Sequence, residues 1–415
     1  MKNDDNVMFI CGCYPKDNEK DFYINSYVMP QNAANVLSWH IIDGMTVNIG
    51  DNLTVVTAPF IGYYPKQYKK LIIENRRWSL NSSTEKRHLQ IGFINIKGLE
   101  TFIKSEKIYR EAIKWYKESK KNRTFLIYSH YAGFMRAAGK LKRKFKDIHI
   151  SVIVTDMNEK DYRPDLQGIY GKLKSIPRNI MIRTTYKNLK YIDSFVLLAE
   201  NMKDHLEVGD RPYTVVEGVA KIASELPNNI DLDSNSNSEF KVVYTGTLHK
   251  RYGLLNLVEA FNYIEDISCK LFICGDGDGR NEIEKISKVN PQINYLGVLE
   301  HSEAVKLQQS ANLLVNPMPE FGIHTELSFP SKTMEYMAAA KPVACFKVKG
   351  IPDEYDSYLS YFKENSPLSI AHKILELKEL GDEKLKTMGE ENRTFVVKFK
   401  NAKVQTAKIV NLILG

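Results

Sequence analysis

The sequence predicts an α/β protein of two doubly wound domains. Three observations point there: the length, one abrupt change of composition, and a regular strand–helix alternation in the second half. A chain of 415 residues exceeds one typical domain and fits two cores. The stretch KIASELPNNIDLDSNSNSEFK, at 221–241, is rich in Asn, Ser and Asp and has almost no apolar periodicity, so it reads as the connection between domains.

After that connection the pattern is tidy. KVVYTG, CKLFICG, INYLGV, NLLVNPM and PVACF read as short β-rich strands. GLLNLVEAFNYI, a polar helix from near Arg280, SEAVKLQQSA and SKTMEYMAAA read as the helices between them. Strands alternating with helices at this spacing predict βαβ units and a parallel sheet covered on both faces. In the first half MFICGCY, NLTVVTAP, TFLIYSH, IHISVIVTD and SFVLLAE read as strands, and Lys104–Lys121 and Ala132–Lys146 as amphipathic helices. The chain ends in KVQTAKIVNLIL, a helix with one apolar stripe. The expected domains are 1–221, joined by a returning helix at 392–415, and 240–391. Doubly wound domains bind ligands beyond the carboxyl ends of their strands, so a central cleft faced by both sets of ends is the expected site.

Composition excludes several classes. No apolar run approaches the roughly 18 residues of a membrane span. MKNDDNVMFICG lacks the basic start and long apolar core of a signal peptide, which predicts a cytoplasmic protein. The five cysteines match no zinc or thioredoxin spacing and read as buried small apolar residues. Charge is uneven: residues 1–221 carry 36 Lys and Arg against 24 Asp and Glu, and the rest 22 against 26. The first half should therefore attract something anionic. No nucleic-acid-binding motif accompanies the charge, so nucleic acid is not an expected partner.

The most informative stretch is FPSKTMEYMAAAKPVACF, at 329–346. A strand ends near Pro317, a loop follows, and a helix begins with Ser331 as N-cap and Lys332 and Thr333 in the first turn. Unpaired N–H groups and the positive end of the helix dipole suit a phosphate there, and Lys332 with the two hydroxyls adds donors. Glu335, one turn on, has the reach to accept from two vicinal ribose hydroxyls. Spacing alone is met equally by an ordinary capped helix with a favourable acidic residue. GDGDGR, at 275–280, reads as a Gly-rich strand-to-helix turn, tight or ligand-approaching; it is not GxGxxG, which argues against a dinucleotide oxidoreductase.

FPSKTMEYMAAAKPV resembles the nucleotide-binding signature of the glycosyltransferase family four (group 1) enzymes of bacterial surface polysaccharide synthesis, with Ala340 in place of the usual Gly. KGIPDEY continues the resemblance. Upstream, VVYTGTLHKRYGLLNLVEAF is similar to that family's first strand, phosphate loop and helix, LFICGDGDGRNEIEKI to its Gly-Asp-Gly segment, and INYLGVLEHSEAVKLQQSANLLVNPMP to its base-binding loop. The first half resembles the family more faintly, through IDSFVLLAENMKDHL and YTVVEGVA. The resemblance implies a GT-B fold and a retaining, metal-independent transfer from a nucleoside diphosphate sugar to a glycan or lipid-linked oligosaccharide, with no cofactor. It implies donor contacts from Gly246, Thr247, Gly275, Asp276, Gly277, Val298, Leu299, Ser331, Lys332, Thr333 and Glu335. It also implies that His130, ending TFLIYSH, is the cleft histidine that contacts the donor sugar.

The sequence departs from the family in two places. The Arg and Lys that usually hold the diphosphate align with Thr247 and Tyr252, leaving Lys250 and Arg251 as the expected substitutes. The usual second glutamate aligns with Leu327, with Glu320 and Glu326 nearby. Asp156 and Glu217 also end strands, where they face an acceptor or cap a helix. RAAGKLKRKFK, at 136–146, carries six cations with Leu141 and Phe145 on one side, and KQYKK adds more, so an anionic membrane surface is a further expected partner. Two alternatives fit the same residues: a nucleotide-sugar epimerase of similar fold, and a non-catalytic partner protein that keeps the fold.

Overall fold

The computed structural model describes residues 5–28, 32–80, 86–119, 122–155, 168–220 and 239–415. The chain divides into two compact units, Met1–Val219 with Ala402–Gly415, and Ala220–Asn401.

The first unit is built on β1 (Asn6–Cys11), β2 (Leu53–Thr57), β3 (Ile72–Ile73), β4 (Arg76–Trp78), β5 (His88–Gln90), β6 (Phe93–Ile94), β7 (Arg123–Tyr128), β8 (His149–Val154), β9 (Ser194–Leu197) and β10 (Tyr213–Val215). Its main sheet runs β10-β9-β8-β7-β1-β2-β5-β4, all parallel except β4 on β5. Successive residues of β1, β7 and β8 are buried, because helices cover both faces. The chain leaves β1 for β2 on one side and returns to β7 on the other, so the order reverses beside β1. A separate antiparallel pair, β3 and β6, was not legible as strands. The helix Ala402–Leu414 lies on Asn32–Ile49, so closely that a Cβ on Gly44 would stand 2.3 Å from the Ala402 carbonyl oxygen.

The second unit contains β11 (Phe240–Thr245), β12 (Cys269–Cys274), β13 (Ile293–Tyr295), β14 (Leu313–Asn316), β15 (Val343–Cys345) and β16 (Ser360–Tyr361). They form one parallel sheet in the order β13-β12-β11-β14-β15-β16. Five of these strands are the ones the sequence predicts. All five cysteines are buried and free.

Some boundaries differ from the sequence reading. The returning helix is shorter than 392–415, because the helix Gly381–Phe399 stays with the second unit: Arg393 donates to the Ala338 carbonyl at 2.7 Å and Asn392 to that of Lys341 at 2.9 Å. The helix expected from Lys104 starts at Leu99 and ends at Glu118. Its first turn exposes Leu99 and Phe102, which breaks the apolar stripe a sequence reading follows.

Candidate functional site

In the second unit the order reverses between β11 and β14, and the crevice beyond that point is where such sheets bind ligands. The helix Ser331–Ala338 starts there. Lys332 Nζ donates to the Thr245 carbonyl, at the end of β11, at 2.8 Å. Burial pushes the Lys332 ammonium below the ordinary lysine range, and the Glu335 carboxylate partly opposes the shift. Glu335 is exposed and accepts a 2.8 Å bond from Gln308, whose amide also donates to the Thr245 hydroxyl at 2.8 Å. Tyr336 closes the network: it takes the Thr245 N–H at 2.9 Å and donates to the Thr245 carbonyl at 3.1 Å. The sequence reading gave no role to Gln308, which nothing in its spacing marks, nor to Tyr336, which stands inside FPSKTMEYMAAAKPV.

The glycine-rich turns pack on this point. Gly246 has φ +132°, and a Cβ there would stand 1.5 Å from Lys332 Nζ. Gly275 has φ +139°, and its Cβ would strike the Gly246 carbonyl oxygen at 1.7 Å. Both backbones favour glycine; at Gly275 a side chain would meet backbone, whereas at Gly246 it would displace the end of Lys332. Gly277 abuts Leu248, whose N–H donates to the Asp276 carbonyl at 2.9 Å. Thr247, Asp276 and Val298 are exposed on these turns, with Leu299 half-buried.

Several expected roles change. Pro330, not Ser331, holds the cap position, and Ser331 is the exposed first helical residue. Thr333 is fully buried: its hydroxyl accepts from Asn316 at 3.1 Å and its N–H turns back on the Pro330 carbonyl at 2.9 Å, so it packs rather than faces a phosphate. Lys250 is tied to Glu282 on the neighbouring helix instead of standing free over the turn. Arg251 lines a pocket of about 240 Å³ with Tyr252, Met318, Phe321, Thr325 and Ser328. Leu327 is buried, whereas Glu320 and Glu326 both pair with Lys349, at 3.9 and 3.4 Å. Glu217 is buried and accepts from Gln405 at 3.2 Å, which ties it to the C-terminal helix. Asp156 lies outside the described residues.

In the first unit His130 follows β7, beside the point where that sheet reverses. Ser129 before it has φ +66°, a strained conformation for a residue with a side chain. The imidazole is buried, neither ring nitrogen has a partner among the described residues, and burial lowers its pKa to about 4. A neutral ring with two unmet polar atoms costs about 1–3 kcal/mol per atom until something completes it.

Residues 239–379 match the family Glycosyl transferases group 1. They are a group 1 glycosyltransferase domain. No curated protein matches the sequence. Among solved structures, a sucrose-phosphate synthase from Thermosynechococcus elongatus is 14% identical, with 98% of each chain covered and a TM-score of 0.60. A trehalose-6-phosphate protein of E. coli bound with UDP-2-fluoro glucose is 10% identical over 99% of each chain, with a TM-score of 0.64. A trehalose-6-phosphate synthase studied for glycosyltransfer with retention is 9% identical over 98% of each, also at 0.64. At such identity the likeness shows the fold, and the fold is GT-B.

The basic helix of the first unit is not the lipid-facing stripe the sequence suggests. Leu141 is fully buried and Phe145 stacks on Tyr116 at 3.8 Å between centroids. Lys140 pairs with Glu106 at 2.5 Å, and Lys142 with Asp193 at 2.7 Å. No helix among the described residues is long and apolar enough to cross a membrane.

Proposed function

We propose that the protein moves a sugar from a nucleoside diphosphate sugar to a hydroxyl of a glycan or lipid-linked glycan, with retention and without a metal ion. The observation that carries this reading is the start of the helix Ser331–Ala338, set against the end of β11 with Lys332 on the Thr245 carbonyl. Helix N–H groups, the dipole and one half-buried ammonium are preorganised for the negative charge that grows on a departing diphosphate. Glu335, exposed and steadied by Gln308, takes the ribose hydroxyls. His130, held neutral, has one donor and one acceptor for hydroxyls of the donor sugar.

In the transfer, the bond from the anomeric carbon to the phosphate oxygen breaks. A bond to the acceptor oxygen forms on the same face, and the hydroxyl proton leaves with the diphosphate. The likeness to a structure bound with UDP-2-fluoro glucose and to one studied for retention supports the reading. The experiment is turnover of a panel of UDP- and GDP-sugars in chelator, with product anomers assigned by NMR. Turnover only with added Mg²⁺ or Mn²⁺, or an inverted product, refutes it. Isomerised free donor without transfer identifies an epimerase instead.

A further inference from the structure

We propose that an apolar, lysine-fringed face of the first unit, centred on the β3–β6 sheet, docks on an anionic lipid bilayer. This sheet pairs Ile73 with Phe93 on its inner face, where both are buried, and Ile72 with Ile94 on its outer face, where both are exposed. A one-sided antiparallel sheet normally turns polar residues outward. Here Ile72 is 64% exposed. The apolar face runs on through exposed Ile96 and Leu99, joined by the Leu99 N–H on the Ile96 carbonyl at 3.0 Å, to exposed Phe102 one turn along. On the other side Ile24 and Tyr27, 68% and 62% exposed, lie beside 67–69, with the Tyr27 N–H on the Gln67 carbonyl at 2.9 Å.

The fringe selects the occupant. Exposed Lys66, Lys69 and Lys97 have no ion pair among the described residues. Lys69 stands 5.5 Å over the Tyr27 ring and Lys97 5.8 Å over that of Tyr63. Glu74 is the exposed carboxylate at this edge, and Lys70 neutralises Asp21. The Lys69 ammonium donates to the Ile24 carbonyl at 2.7 Å, which leaves its charge without a counter-ion. Aliphatic and aromatic side chains bordered by lysines without an acidic partner among the described residues match the interfacial layer of an anionic bilayer. A second copy of this chain would set the same lysines against each other across a twofold axis.

The surface also borders the chemistry. In the turn that exposes Leu99 and Phe102, Glu100 and Thr101 are buried, and the Thr101 hydroxyl lies 2.7 Å from that of Tyr131, next to His130. The purpose inferred for the surface, reaching an acceptor held in lipid, rests on the proposed sugar transfer; the surface itself does not.

The test is sedimentation with phosphatidylglycerol–phosphatidylcholine vesicles and with phosphatidylcholine alone. It compares the wild type, Ile72→Ser/Leu99→Ser/Phe102→Ser and Lys66→Gln/Lys69→Gln/Lys97→Gln, with UDP calorimetry and melting on each. All six positions are exposed, so the variants should fold and bind UDP as the wild type does. The expected result is wild-type binding to the anionic vesicles only, weakened at least about tenfold in each variant. Equal sedimentation of the variants, equal binding to neutral vesicles, or a wild-type dimer that the serine variant splits overturns the docking surface. UDP binding intact alongside any of these leaves the sugar-transfer reading standing. A wild type that docks as expected but ignores nucleotides and nucleotide sugars refutes that reading alone.

Discussion

Lys332 and Thr245 join a helix start to a strand end through one 2.8 Å bond, and Gly246 is the residue that leaves room for it. Gly246→Ala sets a methyl 1.5 Å from the ammonium, at a backbone φ of +132°. Lys332 must move, and the strained backbone costs about 1–3 kcal/mol. The expected outcome is a folded protein with a lowered melting point. Its UDP affinity should fall about ten- to a hundredfold, the size of a lost charge-assisted donor. Unchanged affinity by calorimetry would mean that Lys332 does not serve the nucleotide.

Glu335 accepts a hydrogen bond from Gln308 and is exposed, so Glu335→Ala should cost less than about 1 kcal/mol of stability. Its effect belongs on the ribose. Wild type should bind UDP at least about tenfold more tightly than 2′-deoxy-UDP, and Glu335→Ala should bind both alike. A variant that keeps the preference removes Glu335 from the ribose site.

The placement of the candidate site in the second unit was legible because its parts are local. Pro330, Lys332 and Glu335 lie within one and a half turns, and strand-ending glycines advertise Gly246 and Gly275. What the linear pattern cannot show is which way a helix is rolled. Thr333 looked as available as Ser331 until the roll put its hydroxyl on Asn316. Lys250 looked free until the next turn brought Glu282 beside it. The β3–β6 sheet was invisible because two-residue strands have no periodicity, and only tertiary packing of Ile73 and Phe93 makes them. Leu141 and Phe145 misled because a basic helix with apolar residues reads the same whether its stripe faces lipid or core.

His130 should leave a mark on stability against pH. Its folded pKa of about 4 lies below the ordinary 6.5, so the fold favours the neutral ring. That contribution is complete above pH 6.5 and is lost as pH falls towards 4, by up to about 3 kcal/mol. His88 is also lowered to about 4 by burial, and its Nδ1 accepts the Val55 N–H at 3.1 Å, so it adds a loss of the same sign. Urea unfolding between pH 4 and 7 should show a shallower acid decline in His130→Gln than in the wild type. Parallel curves would mean that His130 is solvated in the folded protein.

Lys142 is the last test, because it separates a structural cation from a membrane-seeking one. Its ammonium donates to the Ile148 carbonyl and to Asp193, each at 2.7 Å, and the same Asp193 oxygen accepts the Ile150 N–H at 2.8 Å. This cluster fixes the start of β8 to the turn before β9. Lys142→Gln strips a half-buried carboxylate of its charge partner and leaves the Ile148 carbonyl without this donor, for a cost of about 1–3 kcal/mol. Lys144 is exposed, and its ammonium stands 5.7 Å from the Phe145 ring with no ion pair among the described residues, so Lys144→Gln should change stability by less than about 0.5 kcal/mol. Chemical denaturation of the two variants measures the difference. Both should still sediment with anionic vesicles as the wild type does. A Lys142→Gln protein that keeps its stability but releases the vesicles would return lipid binding to the helix Ala132–Lys144 and take it from the β3–β6 face.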